Sequence, residues 1–131
     1  MRISLFFVLA ILGAAGAHAQ ADYTLESLAA VTEQHAAQLD SNSIRQEAGF
    51  SRFDVRVTWK DLEQKPADAA ALRYVRYLAK CGEGSLALAG VAVHDEAGRM
   101  LKNAIVPPGA WEYEKPEAGS REAQWLKQIC R

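Results

Sequence analysis

From Phe50 to Trp59 apolar and polar residues alternate, with Phe53, Val55, Val57 and Trp59 on one side and Arg52, Asp54, Arg56 and Thr58 on the other. A period of two predicts a strand with one buried and one wet face. Leu72 to Cys81 repeats the pattern: Val75, Tyr77, Ala79 and Cys81 fall inside, and Tyr74, Arg76, Leu78 and Lys80 outside. Between these strands, Asp61 to Ala71 holds Pro66 and several polar residues, which suits a long loop or a short helical turn. Gly82-Glu83-Gly84 then turns the chain into Ser85 to His94, a nearly continuous apolar run that reads as a central strand with a bulge at Gly90. After the turn Asp95-Glu96-Ala97-Gly98, Met100 to Val106 returns as its partner. Pro107-Pro108-Gly109 stops that strand, because proline has no N–H to give to a ladder.

The period changes after Pro116 and Gly119. Ser120 is a helix N-cap with Glu122 in the first turn, and Ala123, Leu126 and Cys130 share one face that Trp125 and Ile129 widen. A helix of about ten residues is marginal alone in water, so packing must hold it. Upstream of the sheet the pattern is ambiguous. Leu25, Leu28, Ala29, Thr32, Ala36 and Leu39 follow helical spacing, while His35 to Arg45 equally suits a first strand. The expected fold is α+β: an antiparallel meander of about five to six strands with a C-terminal helix on one face.

Composition adds an address and a staple. Met1-Arg2, the apolar stretch Ile3 to Ala15 and the small-x-small triplet Ala17-His18-Ala19 form an export signal over residues 1–19, cut after Ala19. The apolar stretch is too short for a membrane-spanning helix, no second hydrophobic span follows, and no cysteine near the cut supports a lipid anchor. Residues 20–131 then form one domain in the periplasm, outside the cell or at its surface. In such an oxidising compartment a lone pair of cysteines, Cys81 and Cys130, reads as a structural disulfide. A loop of this length stabilises a fold by about 4 kcal/mol in the chain-entropy account. Without residues 1–19 there are fourteen basic residues against sixteen acidic ones, a net charge of about −2. That balance gives no support to a nucleic-acid or membrane-surface binder.

Candidate chemistry is sparse. His35 and His94, the histidines beyond residue 19, sit in no nucleophile or zinc motif. His94-Asp95-Glu96 reads as a solvated hairpin, since adjacent residues there point in different directions. Gly82-Glu83-Gly84-Ser85 lacks the lysine and the strand-to-helix context of a phosphate loop. Ser43 and Asp40 read as turn or strand-end residues. No cofactor or metal is expected, and no enzymatic activity. If the two clearest strands are neighbours, their outer sides bring together Arg52, Arg56, Tyr74, Arg76 and Lys80, moderated by Asp54. Such a surface suits acidic protein segments or sulfated glycans. An ordinary solvated face, or pairing of two copies through it or through a strand edge, is the alternative use of the same residues.

An ordered set of features resembles the surface-adhesin protein E-like family of small exported bacterial proteins. It comprises Asp40-Ser41-Asn42-Ser43-Ile44 before the first clear strand, the strand ending in Cys81, and Val93-His94-Asp95-Glu96-Ala97-Gly98-Arg99 at a hairpin. Trp111, the Pro116 to Ser120 segment and Cys130 complete it. The chain departs from that family at His94, where tyrosine is usual, at Glu117-Ala118, which interrupt a compact Pro-Gly-Ser, and at Tyr23, where tryptophan often stands. The resemblance implies an antiparallel sheet with a disulfide-bonded C-terminal helix. It also implies a cell-envelope binding role, with host extracellular-matrix proteins as targets in the best-known members. A periplasmic inhibitor or small-ligand carrier is the competing expectation.

Overall fold

Strand β2, Phe50–Trp59, has the alternation that its sequence predicts. Phe53, Val55 and Val57 are almost wholly buried, whereas Arg56 is exposed. In the computed structural model, which describes residues 24–131, β2 is one of five strands. The others are β1 (His35–Glu47), β3 (Leu72–Lys80), β4 (Ser85–His94) and β5 (Met100–Ile105). Every pairing is antiparallel and joins chain neighbours, in the order β1-β2-β3-β4-β5. The expected meander is therefore present, with five strands. The expected export signal and Tyr23 lie outside the described residues. Among the described residues no helix is long and apolar enough to cross a membrane.

The ambiguous upstream segment divides between both readings. Helix α1 spans only Leu25–Ala29, and β1 takes over at His35. Ala48-Gly49 forms the tight turn into β2, with Gly49 at φ 88°, a conformation that favours glycine. Asp40 to Ile44, expected before the first clear strand, lies inside β1 as a large bulge: Ser41, Asn42, Ser43 and Ile44 together oppose Phe53. Ser43 repairs the interrupted ladder. Its Oγ accepts the Asp54 N–H at 2.7 Å and donates to the Asp40 carbonyl at 2.6 Å. Ser43 and Asp40 are thus strand-interior residues, because a side-chain hydroxyl here does the work of a missing backbone partner.

β4 carries a second bulge, at Ala89, between the pairs Tyr77–Leu88 and Arg76–Gly90. Gly90 lies so near β5 that a Cβ there would stand 2.9 Å from the Ala104 carbonyl oxygen. β3 ends at Lys80, one residue earlier than the sequence pattern suggested, and Cys81 opens the following turn.

One face of the sheet packs under α1 and helix α2 (Arg121–Ile129). Ser120 caps α2, accepting the Ala123 N–H at 3.1 Å. The deepest residues of α2 are Trp125 and Ile129, with Leu126 and Cys130 flanking them, so the centre of its apolar stripe lies one position from that expected. Tyr77 stacks on Phe53 at 5.7 Å and meets Trp125 at 5.6 Å. Burial, reinforced by the Glu122 carboxylate, pushes its phenol up to about 12. Cys81 and Cys130 form the disulfide, with Cα atoms 5.4 Å apart, and tie the end of α2 to the end of β3.

Candidate functional site

The opposite face of the sheet is covered at one end and open at the other. After β5 the chain passes through a 3-10 turn (Pro108–Ala110) and returns to bond Leu86 through Glu114, with N···O distances of 2.9 and 2.8 Å. This return lays Trp111 and Tyr113 over Leu78, Ala87 and Ala89, beside Phe50. The Trp111 indole N–H donates to the Val106 carbonyl at 3.1 Å, and its ring meets Phe50 edge-on at 5.4 Å. Leu78, placed by its period on the outer side, is therefore buried, and a second small core lies there.

Register sets Arg52, Arg56, Tyr74, Arg76 and Lys80 on this face, since Arg52 pairs with Leu78, Asp54 with Arg76 and Arg56 with Tyr74. The five do not form one patch. Lys80 lies at the covered end, its ammonium 4.2 Å above the Tyr113 ring. Arg52 reaches Glu47 at 3.8 Å, a loose surface pair that contributes little. Arg56, Tyr74 and Arg76 belong to the open half.

There, Asp54 grips Arg76 with both oxygens, Nε–Oδ1 at 2.8 Å and Nη2–Oδ2 at 3.1 Å. The hydrogen bond to Asp54 raises the guanidinium pKa further, and this fork holds Arg76 in one orientation. Arg56, directly opposite Tyr74 in the ladder, makes no ion pair among the described residues. Tyr74 meets His94 edge-on at 5.6 Å, which steadies its ring.

Next to this cluster runs a groove of about 250 Å³ floored by Ala89, Gly90 and Ala92 of β4. Tyr74 and Arg76 form one wall, and Met100, Asn103 and Ile105 of β5 the other. Met100 and Ile105 are 58% and 73% exposed, unusually open for large apolar side chains. Sequence reasoning missed this β5 wall because it judged the face from β2 and β3 alone. The chain gave only part of the signal: Met100 and Ile105 are five residues apart, which strict alternation puts on opposite faces, and the extra residue Leu101, between the pairs His94–Met100 and Val93–Lys102, brings both to this side.

Among the described residues no group of three or more histidine, cysteine, aspartate or glutamate side chains is arranged to hold a metal ion. His94 and Asp95 do not converge. Asp95 is taken up in its own hairpin, where the Arg99 backbone N–H at 2.9 Å and the Arg99 guanidinium hold its carboxyl below the usual range. In comparisons with known proteins, no family model, no curated protein and no solved structure matches this chain.

Proposed function

We propose that this chain is an exported cell-envelope binding module that holds a macromolecular partner on the open half of its sheet. The observation that carries the reading is the juxtaposition of Arg56, an arginine without an ion pair among the described residues, with Tyr74 and a groove walled by exposed Met100 and Ile105. A rigid sheet that presents a cation, an aromatic ring and apolar side chains in one place suits a segment in which a carboxylate or sulfate adjoins an apolar group. The Asp54–Arg76 fork supplies a fixed polar border rather than a second free charge. The resemblance to the surface-adhesin E-like proteins supports host extracellular-matrix proteins as the class of partner.

The test is surface plasmon resonance of the oxidised chain from residue 20 over immobilised matrix proteins and sulfated glycans, with the double variant Arg56→Glu/Tyr74→Ala alongside. A charge-assisted hydrogen bond contributes about 1.5–3 kcal/mol, so at least one member of the panel should bind, and the double variant should weaken it by about tenfold or more. A panel that binds nothing, or binds both proteins equally, removes this reading.

A further inference from the structure

On the helix-covered face, the core-facing row of β3 contains an arginine. Arg73 sits between Val57 and Val93 in the ladder, two residues before Val75 on the same side. Its Nη1 donates to the carbonyl of Leu28 in the last turn of α1. Its Nη2 is shut off from solvent and has no hydrogen-bond partner among the described residues. No carboxylate pairs with it there either. Arg73 is part-buried, but a guanidinium nitrogen taken out of water normally has its donors satisfied, because losing water without a replacement acceptor is costly. Burial accordingly lowers the pKa of this side chain.

Arg73 borders a cavity of about 470 Å³ between α1, the 61–71 loop and the start of β5, within the size range of small-molecule sites. Leu28, Trp59, Val93 and Leu101 provide apolar walls. The Trp59 indole is fixed by a 2.8 Å bond to the Ala70 carbonyl. His35 also borders the cavity. Its Nδ1 accepts the Thr32 N–H at 3.0 Å, so the neutral ring carries its proton on Nε2. The other charged groups on the wall are Lys102 and Asp68.

From this arrangement we infer that the cavity is a binding site for an apolar monocarboxylate, whose head group seats against Arg73 and whose body lies along Trp59, Val93 and Leu101. A small turn of the guanidinium about its bond to Leu28 presents Nη2 to the ligand, which supplies the missing acceptor. The planar fork of arginine matches a carboxylate. Arg73 and Lys102 against Asp68 leave one net positive charge on the wall, which a single carboxylate balances. The site lies on the side of the sheet opposite the open groove, so it stands or falls separately from the macromolecular reading.

The experiment is calorimetric titration of the oxidised chain from residue 20 with decanoate, and in parallel with decanol and decyltrimethylammonium, with tryptophan fluorescence recorded throughout. Decanoate should bind at least tenfold more tightly than either of the others and perturb the tryptophan emission. Arg73→Met should abolish the preference for decanoate, but this substitution also releases α1. Leu101→Glu, at a residue 60% exposed, supplies a variant whose fold can be checked by circular dichroism. It should remain folded and lose at least tenfold in decanoate affinity. Equal binding of decanoate and decanol, no binding of decanoate, or undiminished binding by folded Leu101→Glu would each overturn the assignment.

Discussion

His35 shows how one side chain carries the environment into a measurable property. It is 9% exposed, its ring lies edge-on to Trp59 at 4.4 Å, and burial first, then the nearby Arg73 charge, lowers its pKa below 6.5. A lowered pKa means that the unfolded chain binds this proton more readily. The contribution to stability is complete above about pH 6.5 and is lost as pH falls towards the folded value. The urea midpoint should therefore fall between pH 7 and pH 5.5, and His35→Gln should flatten that slope; parallel slopes would show that His35 is not the linked group. Asp95 acts in the same direction but only below about pH 4, so the two windows separate. Much at this scale was legible in the chain. Phe53, Val55, Val57, Val75 and Ala79 occupy the buried positions that their period assigns. Arg73 was equally legible by parity with Val75. What the alternation could not convey is that its guanidinium would lack a carboxylate partner among the described residues, because that depends on side chains from α1 and the loop.

Helix α2 is short, and its attachment rests on Trp125, Ile129 and the bridge to Cys81. Cys130→Ser should lower stability by about 2–5 kcal/mol, read from denaturant unfolding of the variant against the oxidised parent. The sheet's circular dichroism should persist under native conditions. A loss below about 1 kcal/mol would mean that packing alone holds the helix. The elements that sequence patterns located best are β2, from its strong period of two, and β4, from its continuous apolar run between turns. β1 was harder because its apolar spacing fits a helix and a strand, and because Asp40 to Ile44 carries turn-forming residues that here build a bulge inside a strand. The cover formed by Trp111 and Tyr113 was invisible for another reason. Its segment has no period, and its position follows from the Leu86–Glu114 pairing, a contact between distant parts of the chain.

For the whole molecule, the sheet has two unlike faces: one packed under helices, with the part-buried Arg73 beside a cavity at its margin, the other covered at one end by a returning loop and open at the other. The alternation of β2 and β3 correctly set Arg52, Arg56, Tyr74, Arg76 and Lys80 on one side, but the loop and the local ion pairs divide them into separate environments. The meander also orders events in time. Each hairpin closes between neighbours in the chain, at little entropic cost, so the five strands can assemble by successive zipping. α2 follows all of them, and the 49-residue span between Cys81 and Cys130 is the long closure. If the rate-limiting barrier precedes the docking of α2, the cross-link acts equally on the unfolded chain and on the barrier. Stopped-flow refolding of Cys130→Ser should then proceed within about threefold of the oxidised parent, with the lost stability emerging as faster unfolding. A refolding rate that fell in proportion to the lost stability would place α2 in the nucleus instead. Unchanged refolding with faster unfolding would make the bridge a latch on the way out of the native state, prolonging the lifetime of a domain whose assembly it does not hasten.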